Sequence, residues 1–136
     1  MTTANPFKEM AEAERITHER HMDLQLSCLS RINQEADTQR AVYAIEDRAV
    51  IVERARKLCE AQAQVAAQDG KNAETRAAMA QEHLSEDPHY QLALMDADAI
   101  NAELREARIA LTVAGWMRRL AFDAIRLEAA RLSMEP

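Results

Sequence analysis

Chain-breaking residues are nearly absent, and where they fall decides what this chain can fold into. Glycine occurs only at 70 and 115 and proline only at 6, 88 and 136, so Phe7 to Asp69 carries neither, and Gly115 alone interrupts His89 to Glu135. A sheet needs frequent turn chemistry and β-branched or aromatic residues. Aromatic residues make up 4% of this chain and apolar residues 48%, much of that alanine. These observations exclude β and α/β folds, and with them the glycine-cradled nucleotide sites at strand-to-helix turns, because neither glycine has a glycine neighbour at the required spacing.

The same punctuation places the helices. Asp69-Gly70-Lys71-Asn72 reads as a glycine C-cap followed by an N-cap at Asn72, and Ser85-Glu86-Asp87-Pro88 reads as a stop followed by Asp87 as N-cap with Pro88 in the first helical position. The expectation is an N-terminal helical arm over 1–36 and a hairpin over 37–136, built from helix 38–69, short helix 73–84 and long helix 88–134. The break between arm and hairpin rests on Asn33 to Gln39, which supplies cap formers and no large apolar residue. With 136 residues the chain is long enough for one ordinary domain.

Apolar spacing says how the helices pair. Val42, Ile45, Ala49, Val52, Ala55 and Cys59 recur at threes and fours, while Ala44, Ile51, Leu58 and Val65 recur at sevens, two adjoining seams on one helix. On an ideal helix the large apolar residues after Ala107 spread over an arc of about 200°, whereas cover from one side needs only a little over ~100°. The last helix should therefore be covered from two sides. At 1.5 Å per residue it runs about 70 Å, far beyond the roughly 14 Å radius of gyration of a compact chain this long. The sequence predicts an all-α, elongated antiparallel helical hairpin, a coiled-coil-like bundle that self-associates through Leu111, Val113, Met117, Leu120, Ile125, Leu127 and Leu132.

Arg105, Arg108, Arg119 and Arg126 fall within about 60° of one another on the same projection. Trp116 borders this stripe, so it has the makings of a single-strand nucleic-acid surface with an aromatic for base stacking. The alternative is a solvated bundle face whose Arg stems cover neighbouring apolar surface. The net charge of −6 excludes a protein whose whole surface attracts polyanions. Arg54, Arg56 and Lys57 form a smaller basic cluster with Glu53 and Glu60 beside it, which favours ion pairing within the helix.

Catalytic and metal signatures fail on spacing. His18 and His21 are three apart, whereas a zinc-protease helix needs two His four apart with a Glu between. Glu86 and His89 have a di-iron-type spacing, but Pro88 lies between them and no second copy exists. No Ser-His-Asp or Cys-His arrangement is suggested, so the expectation is a non-enzymatic protein with no cofactor and no metal. Cys28 and Cys59, 31 positions apart, read as reduced thiols. With no apolar leader and no run of 18 uncharged apolar residues, the expected location is the cytoplasm, with no membrane partner.

Glu60-Ala61-Gln62 with Val65-Ala66 in the first arm, and Leu84-Ser85 with Asp87 before the second, resemble strings of the small phage recombination mediators of the UvsY type. The resemblance covers residues 42 to 134. It implies a non-enzymatic, ring-like homo-oligomer that binds single-stranded DNA and helps a recombinase displace a single-strand-binding protein. One departure stands out: Gln64, Ala67 and Gln68 occupy the stretch where the family carries basic residues, so DNA contacts fall to the last helix or to Arg54, Arg56 and Lys57. The rival expectation is a phage- or plasmid-type interaction module, an adaptor or inhibitor of a host protein, that binds no nucleic acid.

Overall fold

The computed structural model describes residues 5–134, which form three α-helices in the order α1 (Pro6–Ala66), α2 (Ala73–Glu86) and α3 (Pro88–Met134). No strand occurs among the described residues.

Two of the three helices start on the same device. The Asn5 carboxamide oxygen accepts from the Phe7 amide at 3.1 Å with Pro6 between them, and the Asp87 carboxylate accepts from the His89 amide at 2.9 Å across Pro88. Proline in the first helical position lacks an N–H that would have had no partner there, so each pair sets the helix direction cheaply. At the start of α2 the expected cap at Asn72 is present, its side chain accepting from Thr75 N at 2.8 Å. α2 runs two residues past the expected Leu84, to Glu86.

Two local expectations need correcting. α1 continues through 33–39 without a break and ends at Ala66. The cap formers in that stretch are absorbed by the helix: the Thr38 hydroxyl donates to the carbonyls of Gln34 at 3.0 Å and Glu35 at 2.8 Å, bonding back along the helix instead of capping a new one. Gly70 is not a left-handed cap, since no glycine has positive φ. It is required for room: a Cβ there would lie 2.6 Å from Arg76 Cγ and 3.0 Å from the Arg76 backbone nitrogen, while the Gly70 carbonyl accepts from the Arg76 guanidinium at 3.1 Å.

The chain divides into two compact units, Met1–Gln39 with Ala110–Pro136, and Arg40–Ile109. In the second unit Cys59, Ala63 and Leu84 form a buried cluster with Ala80 and Tyr90 packed against it. Ion pairs join α1 to α3 there, from Arg48 to Glu103 at 2.7 Å and from Arg108 to Glu46 at 3.6 Å. In the first unit Cys28 and Ala114 are buried, Arg118 pairs with Glu35, and Arg20 lies 3.6 Å from Glu128. Buried positions are mostly small, and no side chain among the described residues falls below 2% exposure with any bulk behind it. Alanine at a helix contact lets two backbones approach closely but hides little apolar area.

Candidate functional site

In the unit of Met1–Gln39 and Ala110–Pro136, α3 has two sides of different character. Leu111, Met117, Ile125 and Leu132 are half-buried, and Ala114 is buried between them in sequence. Leu132 shares a shallow hollow with Ala13, Glu14, Thr17, His18 and His21 of α1, which shows the side that α1 covers. Val113, Trp116, Leu120 and Leu127 point elsewhere, with exposures of 45%, 57%, 63% and 73%. Their spacings of three, four and seven make an a/d row of the kind that seats a neighbouring helix.

The seven residues expected to form an oligomer interface are thus divided. Leu111, Met117, Ile125 and Leu132 serve contacts within the chain, and Val113, Leu120 and Leu127 remain outward. The broad apolar arc contained two faces, and α1 takes one of them.

The arginine stripe is divided as well. Arg105 and Arg108 belong to the unit of Arg40–Ile109, and Arg119, Arg126 and Trp116 to the other. Arg108 pairs with Glu46, and Arg126 lies 3.7 Å from Asp123 one turn before it. Arg105 and Arg119 are exposed and pair with no acid among the described residues. In the smaller basic cluster Arg56 donates to Glu53 at 2.6 Å, as the helical spacing suggests, and this bond holds the Glu53 carboxyl below its usual range.

Spacing alone missed Arg118. It sits inside the apolar arc of α3, donates to Glu35 from the opposite helix, and lies 5.9 Å from the centre of the Phe122 ring. A cation within an apolar arc is the available signal, because such a side chain must find an acid on whatever helix covers it. Glu128 is similar: its side chain is 12% exposed, and Arg131 at 2.8 Å, with Arg20 beyond, lowers its carboxyl pKa.

No group of three or more His, Cys, Asp or Glu among the described residues is arranged to hold a metal ion. Among those residues no helix is long and apolar enough to cross a membrane. No family model matches the chain, and neither a curated protein nor a solved structure matches it, so the resemblance to the recombination mediators draws no support from these comparisons.

Proposed function

We propose that this chain is a non-enzymatic helical interaction protein that works as a homo-oligomer in a reducing, cytoplasmic setting. The outward row of Val113, Trp116, Leu120 and Leu127 carries this reading, since four large apolar side chains along one helix face cost solvation until another helix covers them. The reducing setting rests on the sequence, which has two cysteines 31 positions apart and no paired-cysteine motif. Leu120→Asp places a charge in the middle of the row at a position the fold does not bury. Light scattering of this variant should give the monomer mass; an unchanged oligomer mass overturns the reading.

A second reading, an accessory role in DNA recombination or replication through single-strand binding, is favoured by one observation. Arg119 has no acid partner among the described residues and lies one turn from the exposed Trp116 indole. It predicts binding of an oligonucleotide that weakens steeply as salt rises. Absence of binding at low salt leaves the protein-interaction reading alone, with a recombinase, a single-strand-binding protein or a host protein as the partner type to screen.

A further inference from the structure

The same unit carries a second outward row. On α1, Met22, Leu26 and Leu29 recur at spacings of four and three and are 46%, 58% and 57% exposed. On ideal helices the α1 row lies about 150° round from the side facing α3, and the α3 row about 130° round from the side facing α1. Neither row covers the other within one chain.

Charge decides which rows suit each other. Arg119 and Arg126 border the α3 row, and Asp123 sits within it. Pairing α3 with α3 of a second copy in antiparallel fashion sets the arginine border against itself, and parallel pairing sets Asp123 against Asp123. Arg15 and Glu19 continue the α1 row one heptad before Met22 and Leu26, and Asp23 borders it. Parallel α1–α1 pairing sets Arg15 against Arg15 and Glu19 against Glu19, and antiparallel pairing sets the Asp23 border against itself. Only α3 against α1 sets an arginine border beside an acidic one. Glu19 already holds Arg15 at 2.8 Å and Arg126 holds Asp123 at 3.7 Å, but all four side chains are more than half exposed, so trading these contacts costs little.

We propose that the outward α3 row of one copy packs on the outward α1 row of a second copy. This rests on the self-association reading and fixes its geometry: the contact is heterologous, so it repeats from copy to copy into a closed ring or an open filament.

Two variants with confirmed helical circular dichroism test it, Leu120→Asp on α3 and Leu26→Asp on α1. Each alone should be monomeric, because every possible contact then contains one broken row. Mixed in equal amounts they should form a dimer of twice the monomer mass and stop there, since one intact α3 row meets one intact α1 row. Leu26→Asp at the wild-type oligomer mass, or a mixture that stays monomeric, overturns the pairing of rows. An unchanged mass for Leu120→Asp instead overturns self-association through α3 itself.

Discussion

The Arg118 guanidinium donates to the Glu35 carboxylate from α3 to α1, with each side chain about one-third exposed. The pair joins two long helices across a contact whose buried residues, Cys28 and Ala114, are small. Replacing Arg118 by Met keeps the stem and removes the charge, leaving Glu35 without its partner in a half-buried site. The expected loss is about 1 kcal/mol, toward the upper end for a partly exposed pair, read as a lower urea midpoint with an unchanged slope. Arg118→Met with Glu35→Gln should recover part of that loss, and a fully additive double variant would show the two residues to be uncoupled.

Gly115 and Gly70 answer alanine in opposite directions. A Cβ at 115 meets only Glu35 Oε1 at 3.7 Å, an ordinary contact, in the interior of α3. Alanine there should stabilise by up to ~1 kcal/mol through helix propensity, raising the melting temperature by roughly 4 °C. At 70 the new methyl meets the Arg76 side chain and backbone, so Gly70→Ala should lower it. A rise at both positions contradicts the close approach at Gly70.

The Glu128 carboxyl has its pKa lowered in the fold, first by the hydrogen bond from Arg131 and then by the charges of Arg131 and Arg20. The unfolded chain therefore takes up a proton at Glu128 at higher pH than the folded one. The resulting stability is complete above the ordinary value of 4.5 and drains away as pH falls through the lower folded value. Glu53, lowered by Arg56, adds in the same direction. Melting temperatures from pH 7 to 3 should fall below about pH 4.5, and Glu128→Gln should flatten that fall; an identical slope in the variant removes Glu128 as a contributor.

Cys59 is buried in the α1–α2 cluster, and its thiol pKa is pushed up by burial first and by the neighbouring Asp87 carboxylate second. Alkylation at mild alkaline pH should be slow in the native protein and fast in denaturant, read residue by residue by mass spectrometry. Ala63→Leu, in the same cluster with no exposure at all, should cost 1–3 kcal/mol by overpacking and speed alkylation of Cys59. Rapid labelling of native wild-type protein contradicts this packing.

The sequence carried whatever is local. Asn72, Asp87 and Pro88 specify helix starts through groups two or three residues away, so their roles were legible. The helix ends were less so, because Gly70 is set by Arg76, six residues on, and not by its own φ. Asn33 to Gln39 offered cap formers but no glycine or proline, and a helix absorbs Thr38 when nothing forces a reversal. The α3 arc was wide enough for cover from two sides, and α1 lies on one of them. Which of Leu111 and Val113 turned inward depended on where α1 lies, and Arg118 gained meaning only from Glu35, 83 residues earlier. Spacing along one helix does not encode its neighbour's azimuth.

The alanine-rich interior has a thermal consequence. Heat capacity of unfolding scales with the apolar area newly wetted, and positions such as Ala63, Ala67, Ala93 and Ala114 hide little of it. The single chain should show a calorimetric heat-capacity step well below the usual 12–15 cal/mol/K per residue, and hence a shallow stability curve with cold denaturation pushed far below freezing. Because covering the outward rows adds wetted area on melting, the step and the midpoint should both grow with protein concentration.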